Sequence, residues 1–297
     1  MTHSRRFDWL TIAALVLPPL FWAGNVIVAR AARGDVPPFT LSFGRWVIAL
    51  ACLLPFAWPY LKRDWPLYRQ HFRLIMAVAL TGVLSFNTLV YSGLHYTTST
   101  NALLLNSCIP VLIMLIGALF YQQKLRPLHI LGLTISLAGV LTIILHGEWA
   151  RLLSLSFNRG DLLVFAAVIC WAFYTLLMRR IPVSINRTGL TALTIGIALV
   201  FLLPLWLWER STGALPIWNA RAVWSLAYVG LLPSVAAYLL YTQAVARVGA
   251  VRAGLSIHLM PVFGTLLAVG LLGESLHSYH LMGIAAIFIG IGLSNRQ

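Results

Sequence analysis

ALLLNSCIPV at residues 102–111 and AGLSIHLMPV at residues 253–262 carry matching residues at one fixed offset: Ala102 with Ala253, Leu104 with Leu255, and Pro110-Val111 with Pro261-Val262, each 151 positions apart. The same offset pairs His129 with His280, Gly132 with Gly283 and Gly139 with Gly290. Upstream, Trp22-Ala23 recurs as Trp171-Ala172, and Arg30 as Arg179, at an offset of 149. Shared apolar composition does not by itself align Pro, His and Gly. The chain is therefore read as a duplicated unit, and the fold follows from what that unit is.

Of the 297 residues 60% are hydrophobic and 9% charged, against about 25% charged in a soluble domain. That excludes the water-soluble globular class. A membrane helix takes about 20 apolar residues. Apolar runs between charged or Pro/Gly-marked breaks give spans at Trp9–Ala31, Phe39–Tyr60, Leu74–Tyr96, Thr98–Tyr121 and Leu128–Leu145. Five more follow at Asp161–Met178, Thr188–Trp208, Val223–Val245, Ala250–Leu272 and Tyr279–Ser294. The expected fold is all-α: a polytopic membrane protein of ten transmembrane helices, divided at 1–146 and 147–297. Because each half holds an odd number of spans, the second enters the membrane upside down relative to the first. Two similar halves in opposite senses suit alternating access.

The formal net charge of +14 fits the same reading. With a cytoplasmic N-terminus, one side collects Arg5, Arg6, Lys62, Arg63, Arg69, Arg73, Lys124, Arg126, Arg179, Arg180, Arg187, Arg247, Arg252 and Arg296. The other receives Arg30, Arg33, Arg151, Arg159, Arg210 and Arg221, and Arg45 alone lies within a span. The positive-inside rule then places both termini in the cytoplasm and the helical bundle in an inner (plasma) membrane. It also explains the basic excess without a nucleic-acid partner. Cys52, Cys108 and Cys170 sit in apolar runs outside any metal-binding spacing. No metal or other cofactor is called for. The run Trp9–Ala29 is long enough to be a retained first span and too long for a signal peptide.

The stretch Pro261-Val262-Phe263-Gly264-Thr265-Leu266-Leu267-Ala268, followed by Gly273-Glu274, Gly283 and Gly290, resembles the end of an EamA-type domain. With the ten-span duplicated layout, the chain is similar to the drug/metabolite transporter superfamily over nearly its whole length. Within it, the resemblance is to bacterial exporters of aromatic and other hydrophobic amino acids. It implies an alternating-access exporter, not an enzyme, whose partners are a small-molecule substrate and the lipid bilayer. A monomer suffices, and a homo-oligomer stays open. Gln122-Gln123 stands where the second half has Gly273-Glu274, so a role requiring that acid in both halves is not carried over.

Polar groups inside spans are costly in hydrocarbon and face the bundle interior or a watery cavity. The substrate-binding candidates are Trp22 and Asn25 on the first span, Arg45 on the second, Asn87 and Tyr91 on the third, and Asn106 on the fourth. Trp171 and Tyr174 on the sixth, Tyr238 and Tyr241 on the eighth, and His258 on the ninth complete the set. Aromatic faces hold an apolar side chain and attract an ammonium group, while Asn, Tyr and Arg45 offer donors to a carboxylate. Each candidate also has a packing reading: Arg45 can snorkel or bind carbonyls, the Asn residues can join helices, and a lone membrane His is commonly structural. Pro110 and Pro261 free carbonyls at matched places and are candidate hinges. The small-residue ridges Gly132, Ser136, Gly139 and Gly283, Ala286, Gly290 point to close helix packing or dimerisation.

Apart from Glu274 and Asp161 near span ends, the spans assigned from sequence contain no carboxylate. Facilitated export is therefore expected over tight proton antiport. Another small metabolite, such as a sugar or nucleotide sugar, is the alternative cargo. An intramembrane hydrolase using Ser256 and His258 is the alternative from another class, although residues two apart on a helix diverge by about 200°.

Overall fold

In hydrocarbon every backbone N–H and C=O must find its partner within the chain, and a helix does this segment by segment. The computed structural model describes residues 9–32, 34–123, 126–153, 158–272 and 275–295, and they are helical wherever the sequence is apolar. Ten helical rods follow in order. The first half contains α1 Trp9–Ala32, α2 Pro38–Arg63, α3 Phe72–Gly93, α4 Asn101–Tyr121 and α5 Pro127–Ile144. The second contains α6 Arg159–Arg180, α7 Arg187–Ser211, α8 Ala220–Val248, α9 Ala250–Gly270 and α10 Ser278–Asn295. Nine are long and apolar enough to cross a membrane, and α10 is a shorter apolar helix. A short helix, Trp65–Gln70, links α2 to α3.

The ends are set by local chemistry. Asn158, Asn186 and Asn219 cap α6, α7 and α8 by accepting from backbone N–H groups of the first turn, at 2.7 Å to Gly160 N, 2.9 Å to Thr188 N and 2.8 Å to Ala222 N. Gln122 closes α4 in the left-handed region (φ 49°), and Gly249 (φ 87°) makes the tight turn between α8 and α9. Expected and observed spans differ by a few residues at most ends. One difference matters: α7 runs on to Ser211, so Glu209 is an additional, buried carboxylate at a span end. It accepts from Phe39 N (2.8 Å), Thr40 N (2.7 Å) and Thr40 Oγ1 (2.8 Å), capping α2 from α7. Glu274 lies outside the described residues.

The duplication is visible in the backbone. α3 carries a π-helical segment at Ala79–Ser85, and α8 carries one at the related position, Leu232–Ala236. α4 is interrupted at Ser107–Cys108 and α9 at Ser256–His258, breaks that coincide at Ser107 and His258, 151 residues apart. α5 lies along α10 with Gly132 against Gly290 and Gly139 against Gly283, an antiparallel crossing. A Cβ on Gly290 would come within 2.4 Å of Gly132 O, so only glycine allows this approach. The small-residue ridges thus pack against one another within the chain. The contact is self-complementary: Gly132–Gly290 maps onto Gly283–Gly139 under the repeat, as for a two-fold axis in the membrane plane.

Residues related by such an axis touch only where it passes between them. Three related pairs do: Trp22 and Trp171, Asn87 and Tyr238, and Ser107 and His258. Outside the bundle, Trp9, Trp58, Trp65, Trp149, Trp208, Trp218 and Trp224 are exposed, the placement expected of an interfacial belt. Trp206 instead stacks on Phe43 at 4.8 Å.

Candidate functional site

The axis runs through an aromatic cluster. Trp22 of α1 meets Trp171 of α6 edge to face, with ring centroids 5.1 Å apart. Tyr241 of α8 lies 5.3 Å from both, Tyr174 4.9 Å from Trp171, and Tyr238 5.6 Å from Trp171. Edge-to-face pairs at these separations contribute about 0.5–1.5 kcal/mol each beyond their buried area. The polar tips of Trp22 and Tyr241 are tied down. Trp22 Nε1 donates to Pro233 O at 3.2 Å, in the π-helical segment of α8. Thr175 Oγ1 donates to Trp171 O, so Tyr241 OH donates to Thr175 at 3.0 Å.

Beside the rings is a buried polar relay centred on Arg45 of α2, whose side chain is wholly enclosed. Its Nε donates to Ser234 Oγ at 2.7 Å, and its Nη1 to Asn87 Oδ1 at 2.8 Å and to Tyr91 OH. Tyr91 OH donates to Asn25 Oδ1 at 3.2 Å. Asn87 Nδ2 donates to Tyr238 OH at 3.0 Å, and Tyr238 OH to Gly82 O at 2.8 Å. The Arg45 guanidinium also sits 4.9 Å from the Trp46 ring centroid. No carboxylate pairs with Arg45 among the described residues, and its Nη2 is buried without a partner. An ion without a counter-charge is costly to keep from water, by several kcal/mol.

Rings and relay enclose a narrow cavity of about 40 Å³, well below the 300–1,000 Å³ typical of small-molecule sites, so in this state it is shut around its lining. Of the candidates read from sequence, Trp22, Asn25, Asn87, Tyr91, Asn106, Trp171 and Tyr238 line it. Arg45 stands behind Asn87 and Tyr91. Asn106 Oδ1 and Trp171 Nε1 are buried and unpartnered. Tyr174 and Tyr241 back the rings without lining the cavity. His258 is elsewhere: its Nε2 donates to Ser107 O at 3.0 Å, which leaves Nδ1 to accept from Ser136 Oγ at 2.7 Å. It braces α9 to α4 and α5 beside a smaller cavity that Asn106 also lines. Pro110 opens the second segment of α4, and Pro261 follows the break in α9.

A second, open cavity lies where α4, α6 and α8 end and α5 and α9 begin. Arg126, His129, Arg179, Arg180 and Arg252 line it, with Arg180 4.3 Å above the Tyr121 ring. On α6 Trp171 lines the central cavity and Leu176 the basic one. Tyr174 lies between them, its ring lying so close to Gly82 that a Cβ there would fall 2.1 Å from it.

The Ser256 hydroxyl donates to Ala253 O at 2.8 Å, so Ser256 and His258 each bond elsewhere. Among the described residues no three His, Cys, Asp or Glu side chains gather as a metal site. The sequence profile of the EamA-like transporter family matches residues 9–145 and again 158–296, which covers most of the chain in two copies. The chain belongs to the EamA-like transporter family. This EamA-like protein is 29% identical over 285 residues to a protein of Archaeoglobus fulgidus named an uncharacterized transporter, covering 95% of this chain and 96% of that one. It is 27% identical over 290 residues to a probable terminal-alkyne amino-acid exporter of Streptantibioticus cattleyicolor, covering 96% and 93%. A crystal structure superposes with a TM-score of 0.73 at 22% identity, over 96% of this chain and 95% of the other, showing a shared fold. The EamA-like chain is thus a multi-pass membrane transporter, and its central cavity lies on the repeat axis.

Sequence reasoning missed Phe86 and Ser234. Phe86 precedes Asn87 on the face that also carries Val90, and packs on Trp171 at 4.5 Å. Ser234 follows Pro233 in the π-helical segment. A hydroxyl beside a mid-span proline was a usable signal for a buried acceptor.

Proposed function

We propose that this transporter exports aromatic and other hydrophobic amino acids by alternating access, facilitated by the substrate's own gradient. The halves divide at 1–146 and 147–297, both termini lie in the cytoplasm of an inner-membrane protein, and one copy suffices. The reading rests above all on Arg45: an enclosed cation with no acidic partner among the described residues and an unpartnered Nη2, one side chain away from an aromatic cavity. A substrate carboxylate supplies the missing counter-charge. The faces of Trp22, Trp171 and Phe86 receive its apolar side chain. Asn25, Asn87 and Tyr91 orient the carboxylate, and Pro110 and Pro261 let α4 and α9 flex. The name of the Streptantibioticus cattleyicolor relative, an amino-acid exporter, agrees with this cargo.

With the N-terminus cytoplasmic, the open basic cavity is the cytoplasmic mouth, closed from the central site by Tyr174 and Tyr241. Counterflow of labelled L-phenylalanine into liposomes loaded with unlabelled candidates tests the cargo. L-Phenylalanine, L-tryptophan and L-leucine should drive accumulation while sugars and nucleotide sugars do not. Absence of labelled L-phenylalanine accumulation with every amino acid inside, alongside counterflow of a labelled sugar or nucleotide sugar, would overturn the amino-acid reading.

A further inference from the structure

Two carbonyls at the repeat-related breaks of α4 and α9 have lost their usual donors. In an α-helix the N–H four residues on bonds each carbonyl, and Pro110 and Pro261 have none. The carbonyls affected are those of Asn106 and Ile257, residues 151 apart that both line the central cavity; the Ile257 carbonyl keeps one lone pair beyond the bond it takes from Leu259 N. Asn106 adds a third acceptor, because its Oδ1 is buried and receives no hydrogen bond. Asn106 Oδ1 is thus an unmet acceptor in the cavity wall, while the spare Nη2 of Arg45, behind Asn87 and Tyr91, is an unmet donor.

We propose that the Asn106 amide oxygen, with the carbonyls of Asn106 and Ile257, forms an ammonium-binding subsite that selects α-amino acids over carboxylic acids lacking the amino group. This rests on the amino-acid reading above and specifies its second anchor. Arg45 and its relay hold the carboxylate, and Asn106 reads the ammonium. Three N–H donors of an ammonium match three acceptors. A hydrogen bond to a charged group contributes enough for about tenfold discrimination. The repeat explains why both breaks take part: each half supplies one carbonyl near the axis.

The test uses purified full-length protein and paired probes, L-phenylalanine and 3-phenylpropanoate, which differ by the amino group. Wild type should prefer L-phenylalanine. Asn106→Leu should lower that preference about tenfold with 3-phenylpropanoate binding retained, and Asn106→Asp, which keeps the oxygen acceptors, should preserve it. Pro110→Ala returns an N–H to the Asn106 carbonyl and should also lower the preference, so the test survives a misfolded leucine variant. Unchanged preference in Asn106→Leu and Pro110→Ala overturns the subsite while leaving the cargo assignment standing. Absence of binding by both probes to wild type overturns the cargo assignment and the subsite with it. Sodium-dependent binding that loses its sodium dependence in Asn106→Leu, with the amino preference intact, assigns the oxygens to a metal ion and overturns the ammonium subsite.

Discussion

Arg45 Nε and Ser234 Oγ are 2.7 Å apart, and through this bond the cation of the first half is held by the π-helical segment of the second. Ser234 Oγ in turn donates to Val229 O at 2.6 Å. The charge therefore sits between halves, where a rocking motion would change its surroundings. Arg45→Gln removes the charge while keeping a shorter side chain that can still hydrogen-bond. Initial rates of L-phenylalanine counterflow should fall at least tenfold, with a monodisperse protein by size-exclusion chromatography. Retained transport would reduce Arg45 to a structural tie.

The aromatic walls make a separable prediction. Trp22→Ala, Trp171→Ala and Tyr91→Ala each open the cavity or cut the relay and should abolish transport of aromatic amino acids while leaving folded protein. Phe86→Ala, removing the ring 4.5 Å from Trp171, should weaken apparent affinity for phenylalanine more than for leucine. Normal kinetics in all four would empty the pocket assignment.

The crossing of α5 on α10 is set by backbone approach. Gly290→Val places a branched side chain where even a Cβ would meet Gly132 O at 2.4 Å. Overpacking of this kind costs about 1–3 kcal/mol. The midpoint of thermal unfolding in detergent should drop, whereas Gly264→Val, at a position with open space around its Cβ, should leave it nearly unchanged.

Coupling offers another check. The buried carboxylates Glu209 and Asp161 are engaged in capping: Glu209 holds the start of α2, and Asp161 accepts from Thr97 Oγ1 and from Asn158 N at 2.7 Å. His258 is spent as a brace. Transport should proceed without an imposed pH gradient, and His258→Ala should lower thermal stability more than it alters any pH response. Uptake that requires a pH gradient and is lost in His258→Ala would establish proton coupling instead.

A fifth prediction concerns the turn after α2. Asp64 accepts from Arg63 Nε at 2.7 Å and from Asn186 N at 2.9 Å, tying that turn to the start of α7. The Arg63 guanidinium holds the Asp64 carboxyl below its usual range, with burial opposing and the Asn186 bond helping. Because the folded value is depressed, the stabilisation is present above the unfolded carboxylate range, about 3.9, and is lost as pH falls through the lower folded value. Asp64→Asn should therefore lower the unfolding midpoint at pH 7, and the gap from wild type should close under strong acid.

Much of this molecule can be read from its letters because membrane insertion is written in long apolar runs and because the repeat marks its own register. Pro110 and Pro261, Gly132 and Gly283, and Trp22 and Trp171 announced the breaks, the crossing and the central rings. The role of Glu209 was hidden by one residue of boundary, since a helix end is set by a cap that periodicity does not see. His258 looked equivalent to the Asn and Tyr candidates; only the positions of Ser107 O and Ser136 Oγ reveal that both its nitrogens are occupied. Tyr174 shares a helix face with Trp171, yet the missing Cβ of Gly82 draws it out of the cavity wall.

The contacts between repeat mates carry a last consequence. In a symmetric pair of separate, identical halves, every residue on the axis would face its own copy, and like would have to bond like. Joining the halves in one polypeptide removes that obligation. Asn87 can then donate to a tyrosine, and a histidine can reach the backbone of a serine, so the midline acquires a direction that no homodimer could give it.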